Sequence, residues 1–370
     1  MTNNEITENN NFDQVFTYEH LLHSAYKCKN GVSWKSSVQN YMNNVHMNVS
    51  RTYDELHSGK FKYSSTYEFD TYERGKKRHI KSMHIRERVV QKCLCDYCLS
   101  PILNKSFIYD NSASLKGKGL TFTIDRLKKM LRQHYRKFGT DGYVLLFDFS
   151  DYFGSINHSK AMELISKYIT DTRLLSLIEQ SIKIYADKSS TNNIDDYIGI
   201  GLGSQLSQIF ALLIANPIDH MIKDRLGFKY YIRYMDDGLV ICEDKEKLRK
   251  LLIDINAKAD ELGLTLNTRK TKIVKLTHGF EFLKKRIYLC ENGKIIMKIS
   301  RQSITRMRRK LKKFRKLLSE KKITIENIEC SYKSWRGFAA QFNNYFTIKN
   351  MDMLYQDLFG YIPNYTKTRR

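Results

Sequence analysis

Residues 229–243 read KYYIRYMDDGLVICE, and the adjacent acids Asp236 and Asp237 constrain the fold more tightly than any other feature of the chain. Tyrosine and isoleucine precede them and leucine, valine and isoleucine follow, so each flank has strand composition. Asp237-Gly238 is a strong short-range hairpin signal. The segment is therefore expected to form a tight β-hairpin with both acids at its tip. Like charges held together repel, and two readings reconcile them: a solvated turn, for which Asp and Gly are ordinary residues, or a divalent cation that neutralises both. The segment alone leaves that choice open.

Charge elsewhere narrows the setting. The 370 residues include 63 Lys and Arg against 39 Asp and Glu, a formal net charge of +24. An excess of that size points to a polyanionic partner, nucleic acid rather than a membrane surface. No apolar run approaches the ~20 residues that cross a bilayer, so no membrane partner is expected. The opening MTNNEITENNNFD is neither a signal peptide nor a basic transit peptide, and residues 1–30 are expected to be a flexible lead-in. Seven cysteines without a secretory signal imply reduced thiols and a cytoplasmic location. From Arg301 to Lys322 there are eleven basic residues and one acid, Glu320, with Ile304, Met307, Leu311, Phe314, Leu317 and Leu318 interleaved at helical spacing. That pattern predicts an amphipathic helix with one face in a core and a basic face free to track phosphates. Further basic stretches at Arg74–Arg88 and Lys116–Lys137 suggest a long groove rather than a single docking point.

Only Pro101, Pro217 and Pro363 interrupt the chain, and no low-complexity linker separates its parts. Helical patterns cover 32–57, 85–103 (ended near Pro101), 120–137, about 159–169, about 207–226 and 245–262. Tyr143–Phe149 is a buried strand, and strands recur in LTLNTRKTKIVKL and FEFLKKRIYL. The order strand, helices, hairpin, helix, strand is that of a split βαββαβ unit. From 298 onward the pattern is helical and basic.

This topology decides what the doublet is for. Asp148 ends the apolar strand YVLLFD, where a carboxylate is costly unless something neutralises it. In a split βαββαβ sheet the first strand lies beside the central hairpin, so Asp148 meets Asp236 and Asp237 at one sheet edge. Three carboxylates and the Phe149 carbonyl are hard oxygen donors suited to two Mg²⁺ ions, which activate an attacking 3′-hydroxyl and stabilise a leaving pyrophosphate. Cys93, Cys95 and Cys98 invite a zinc reading, but no paired Cys/His cluster follows, and a buried helical stripe fits them better.

With these residues in place the chain resembles the reverse transcriptases over about residues 70–362. Tyr234-Met235-Asp236-Asp237 is similar to the family's catalytic box, and Asp148 with Phe153 to its first metal motif. Gly203-Ser-Gln-Leu-Ser207-Gln208 resembles the substrate-contacting loop and helix start, and Asn267-Thr-Arg-Lys270-Thr271 the motif whose lysine lies near the incoming phosphates. Phe282-Leu283-Lys284 resembles the primer grip, with Lys284 in place of the usual glycine. Gly75-Lys-Lys-Arg78 and Ser114-Leu-Lys116-Gly-Lys118-Gly resemble the two finger motifs that hold the triphosphate.

The resemblance implies an α+β right-hand polymerase: fingers over 31–141, a catalytic palm with a split βαββαβ antiparallel sheet over 142–297, and a helical basic thumb over 298–370. It implies RNA-directed DNA synthesis with two Mg²⁺ ions, Mn²⁺ being able to substitute, held by Asp148, Phe149, Asp236 and Asp237. Phe153 is then a steric gate against a ribose 2′-hydroxyl. Arg78 and Lys116 neutralise the triphosphate, and Lys270 protonates or stabilises departing pyrophosphate. Leu202, Gly203 and Gln208 contact the forming base pair, Phe282 and Leu283 grip the primer, and Arg306, Arg309 and Lys313 contact nucleic-acid backbone. Trp335 is expected to anchor a core.

Many family members have Gln-Gly and Ser-Pro where this chain has Leu202-Gly203 and Ser207-Gln208. In this it resembles diversity-generating retroelement polymerases and the defence-associated, unknown-group branch. The implied partners are dNTPs, nascent cDNA, a template RNA of the structured non-coding kind and an accessory protein, in bacterial anti-phage defence. Error-prone diversification, template-independent synthesis and a non-catalytic RNA-binding scaffold are the alternatives.

Overall fold

The computed structural model describes residues 9–364 apart from 65, 74 and 187–196. Residues 1–8 of the expected lead-in and 365–370 of the expected thumb lie outside the described residues. The described part of that lead-in is helical, which corrects the expectation. Asn11 accepts hydrogen bonds from the Asp13 and Gln14 amides and Thr17 from the His20 amide, capping helices α1 (Phe12–Val15) and α2 (Tyr18–Lys29). Phe12, Val15, Phe16, Leu21 and Ala25 are all buried. Polar composition hid an apolar stripe that two side-chain caps make helical.

Two helices, α3 (Ser36–Asn43) and α4 (Val45–His57), replace the single one expected over 32–57, because Asn44 leaves helical geometry at φ −121° and ψ 39°. The basic stretch beyond them is a hairpin of β1 (Tyr67–Glu73) and β2 (Lys76–Ser82), in which Thr71 faces Arg78. Helix α5 (Ile85–Leu94) continues through a widened π turn at Cys95–Leu99 into α6 (Ser100–Leu103). The run ends at Leu103, as expected, two residues after Pro101, which falls in the first turn of α6, where an amide donor is dispensable. Cys93, Cys95 and Cys98 are buried free thiols on this run.

Helix α7 (Leu120–Phe138) leads to β3 (Tyr143–Asp148), followed by α8 (His158–Ile165), α9 (Thr172–Lys183), α10 (Gln205–Ile214) and α11 (Asn216–His220). Then come β4 (Tyr231–Tyr234), β5 (Asp237–Cys242), α12 (Lys245–Glu261) and β6 (Lys272–Lys275). The strands line up as β4-β5-β3-β6, the order a split βαββαβ unit requires. Val144, Leu145 and Phe147 of β3 and Leu239, Val240 and Ile241 of β5 are buried, so the two central strands are apolar on both faces.

A second sheet has the order β7-β8-β9, from β7 (Phe280–Phe282), β8 (Lys285–Leu289) and β9 (Ile295–Ile299). The last strand is absent from the sequence reading. Helices α13 (Arg301–Ser319), α14 (Ile325–Ala340) and α15 (Tyr345–Phe359) share a core of Met307, Leu311, Ile328, Tyr332, Met351 and Tyr355. Trp335 stacks on Tyr332 at 5.9 Å and donates its indole N–H to Ser303 Oγ at 3.2 Å, as a core anchor should. The chain divides into two compact units, one of Met1–Arg126, Phe147–Gly238 and Arg249–Thr271, the other of Leu127–Leu146, Leu239–Leu248 and Lys272–Arg370. Helices and antiparallel sheets together make this an α+β fold.

Candidate active site

The acids reach one place because β3 and β5 are neighbours. Asp148 is the last residue of β3 and Asp237 the first of β5. The hairpin turn is Met235-Asp236, so only Asp236 stands at the tip. This corrects the expectation that Asp237-Gly238 makes the turn. Met235 carries the left-handed backbone, at φ 56°, and Gly238 lies inside β5. A Cβ on Gly238 would sit 2.1 Å from the Phe147 ring, so this glycine leaves room for that ring, which comes from the strand that carries Asp148.

Burial raises the pKa of Asp236, and the charge of Asp148 adds to it. Asp237 is pushed up to about 7 by burial and then by the charges of Asp236 and Asp148. Asp148 is itself 3% exposed. Lys270 answers part of this charge: its ammonium donates to Asp148 Oδ1 at 2.9 Å and Oδ2 at 2.7 Å. Burial works against the Lys270 cation, but the hydrogen bond and charge of Asp148, helped by Asp237 and Asp236, outweigh it and raise its pKa. The backbone secures the same contact, since the Asn267 amide donates to the Asp148 carbonyl at 2.7 Å.

Phe149 forms an antiparallel bridge with Leu266. Its neighbours make the hydrogen bonds there, Asp148 through its carbonyl and Ser150 through its amide to Thr265 at 2.8 Å. Successive carbonyls alternate across a strand, so that of Phe149 faces the opposite side, the side of β5. Among the described residues no three acidic, histidine or cysteine side chains already form a closed ligand set. The donor chemistry nevertheless fits a hard divalent cation: one buried and two half-buried carboxylates whose repulsion a single lysine only partly offsets.

The other expected residues are placed unevenly. Phe153 is half-buried rather than in the core, its ring edge-on to Tyr152 at 5.9 Å. Its carbonyl accepts from the Ile200 amide at 2.9 Å, which ties the 199–203 loop to the segment after β3. Leu202 is half-buried, and Gly203 is exposed at φ 96°, a conformation that suits glycine. Ser204 caps α10, on which Gln208 is half-buried. Lys116 is exposed, and among the described residues it makes no ion pair with the acids. Its neighbour Lys118 is committed to the carbonyls of Tyr109 at 2.7 Å and Asn111 at 3.0 Å. The Arg78 side chain lies outside the described set.

In the second unit, Phe282 is buried, and Leu283-Lys284 make a two-residue turn with φ 48° and 62°. Arg306, Arg309 and Lys313 are exposed on α13.

Sequence reasoning missed Arg233 and Asp219, which are fully buried in the first unit. The available signal was an arginine within an apolar strand, which demands a buried partner.

Comparisons with known proteins bear on the same region. Residues 66–287 match the family model described as "Reverse transcriptase (RNA-dependent DNA polymerase)". A curated Saccharomyces cerevisiae protein, "Putative COX1/OXI3 intron 1 protein", is 21% identical over 332 residues, covering 74% of this chain and 39% of that protein. The chain thus spans about two fifths of that relative's length. Among solved structures, telomerase from Candida albicans in complex with a fragment of telomeric RNA aligns with a TM-score of 0.49 at 12% identity, covering 82% of this chain and 56% of that one. Apo telomerase from Candida tropicalis, truncated from its C-terminal domain, aligns with a TM-score of 0.46 at 16% identity, covering 63% and 55%.

Proposed function

Because the chain belongs to the reverse transcriptase family, we propose that it extends a DNA 3′ end on an RNA template by two-metal nucleotidyl transfer. The observation that carries this reading is the convergence of Asp148, Asp236 and Asp237, with the Asp236 and Asp237 carboxyls raised by burial and mutual charge. The three carboxylates and the Phe149 carbonyl would hold Mg²⁺ or Mn²⁺. When bound, such ions activate the attacking hydroxyl and offset charge on the leaving pyrophosphate. Lys270, already paired with Asp148, supplies fixed positive charge beside the phosphates. Phe153 acts as the ring that excludes a ribose 2′-hydroxyl, while Arg78 and Lys116 neutralise the triphosphate. Residues 31–141 act as fingers, 142–297 as palm and 298–370 as thumb. In the thumb and grip, Phe282, Leu283, Arg306, Arg309 and Lys313 meet the nucleic acid.

Primer extension by the purified protein with dNTPs, Mg²⁺ and an RNA template tests this reading. Template-dependent product supports it. Product without added nucleic acid supports template-independent synthesis, and no product under any condition supports a scaffold.

The finer proposal is a dedicated structured non-coding RNA, copied in anti-phage defence. It is supported by Leu202-Gly203 and Ser207-Gln208, where an apolar side chain stands in place of a hydrogen-bonding one. A lost polar contact of ~1 kcal/mol weakens base-pair discrimination. Lower misincorporation by Leu202→Gln is expected, and equal rates would remove the idea. Sequencing RNA that copurifies with the protein separates a single structured RNA from a variable-repeat template.

A further inference from the structure

The hydrogen bonds around Arg233 converge on the turn that presents Asp236. The Arg233 and Asp219 side chains are both 0% exposed, and the guanidinium grips the carboxylate with two bonds, Nε to Oδ1 at 2.7 Å and Nη2 to Oδ2 at 2.6 Å. Tyr231, on the same face of β4, donates its hydroxyl to Asp219 Oδ1 at 2.6 Å. Arg233 Nη2 also donates to the Leu212 carbonyl of α10 at 3.1 Å. The remaining arm, Nη1, reaches forward two residues to the Met235 carbonyl at 2.8 Å. The Arg233 backbone is pinned as well: its amide donates to the Asp110 carbonyl at 3.2 Å, and its carbonyl accepts from the Ser112 amide at 3.1 Å. Asp110 is in turn held by Arg126 at 2.6 Å and Lys223 at 2.8 Å.

Fold stability does not account for this arrangement. A fully buried ion pair is commonly replaced by apolar residues of similar volume without loss. What an apolar pair cannot supply is a donor for the Met235 carbonyl. Met235 is a non-glycine residue at φ 56°, in a two-residue turn whose next residue is Asp236. Such a backbone persists only where its surroundings over-determine it. Lysine cannot substitute, because a single ammonium lacks the planar fork that serves the carboxylate and both carbonyls together.

We propose that Arg233, oriented by Asp219 and Tyr231, is a positioning residue: through the Met235 carbonyl it fixes the turn and so sets the placement of Asp236 and Asp237 for metal. This rests on the two-metal reading above. Its effect is on metal affinity and turnover rather than on nucleotide binding.

The test uses the full chain and two variants, Arg233→Lys and the apolar replacement Asp219→Leu/Tyr231→Phe/Arg233→Met. Three quantities are read: melting temperature, Mn²⁺ affinity of the nucleic-acid-free protein by electron paramagnetic resonance, and kcat and dNTP KM in primer extension. The apolar variant is expected to melt within a few degrees of the parent. Both variants are expected to bind Mn²⁺ about 10-fold more weakly, with kcat down 10–100-fold and KM changed less than about threefold. Parental Mn²⁺ affinity and kcat in a folded variant would overturn the proposal. So would failure of both variants to fold, which would make the pair a purely structural one. A parent that binds no Mn²⁺ and makes no product would instead remove the two-metal reading, a distinct result.

Discussion

Arg233 and Lys285 are both buried cations, the first 0% and the second 1% exposed, yet their surroundings differ. Arg233 has a carboxylate and two carbonyls within 3.1 Å. Lys285 has one carbonyl, that of Leu283 at 3.3 Å, and the faces of Phe338 and Phe342 at 5.5 and 5.3 Å. Burial, reinforced by neighbouring Lys284, pushes the Lys285 ammonium down to about 8, whereas Asp219 outweighs burial and raises the pKa of Arg233. Near the acids, Arg233 is thus matched to Asp219 and Lys270 to Asp148, each by a specific ion pair. In the second unit Arg336 and Asp352 are paired just as closely, at 2.9 Å, but Lys285 faces rings and the α13 cations Arg306, Arg309 and Lys313 face solvent. Single substitutions should therefore be costly at the acids and mild at the exposed α13 cations.

The largest effect is expected at the doublet. Asp236→Asn keeps the shape of the turn and removes one charge, so primer extension should fall by ~10³-fold or more with the melting temperature little changed. Extension at the parental rate would show that the raised carboxyls play no part in chemistry. Gly238→Ala comes next. Its Cβ would meet the Phe147 ring at 2.1 Å, so that buried ring or the strand bearing it must shift, at a cost of ~1–3 kcal/mol in stability. Activity should fall with it, because Phe147 and Gly238 are the immediate chain neighbours of Asp148 and Asp237. A variant with parental stability and activity would mean that the space under the Phe147 ring is dispensable.

Lys285 inverts the usual cost of removing a charge. Its pKa in the fold, about 8, lies below the ordinary 10.5, so the unfolded chain binds more protons between those values. Stability contributed at this position therefore rises as pH climbs from about 8 to about 10.5, and the full penalty applies below that window. Lys285→Met should be more stable than the parent at pH 7 by ~1–3 kcal/mol, part of the gain being offset by the lost attraction to the rings. The advantage should shrink through the window and vanish above it. Denaturant melts at pH 7 and pH 10 check this, and a constant difference would show that Lys285 stays charged throughout.

What could be foreseen from sequence divides along the same line. Asp148, Asp236 and Asp237 were legible because a carboxylate ending an apolar strand needs a reason, and because the split βαββαβ order makes the first strand adjacent to the hairpin. The turn itself was misplaced, since Asp237-Gly238 is a good local turn signal. Here Gly238 answers to Phe147, 91 positions away in the chain, a contact no local pattern reveals. The Arg233–Asp219 pair was hidden for the same reason: residue type announces that a buried arginine needs a partner but not which one. Helices α1 and α2 were hidden by polar side chains that turn out to be caps. Strands β1 and β2 are dominated by charged and polar side chains, and β9 is only five residues long. Arg306, Arg309 and Lys313 were legible as exposed cations because helical periodicity sets aside Met307 and Leu311 for the core.

The smallest effect is expected at those helix cations. Each is exposed on α13, where a charge facing solvent gains little from any one partner and is screened within ~10 Å. Their contribution to nucleic-acid binding is the release of counterions, which adds over residues and is indifferent to sequence. Arg309→Ala should therefore weaken binding only a few-fold at moderate salt, equally for unrelated templates. It should lower the slope of log K against log salt by ~0.7–0.9, one phosphate contact. Arg306→Ala and Lys313→Ala should do the same, and the three together should add. A template-selective loss, or a drop of several units from one substitution, would show that this helix holds a defined site like the acids and would erase the contrast between the two regions.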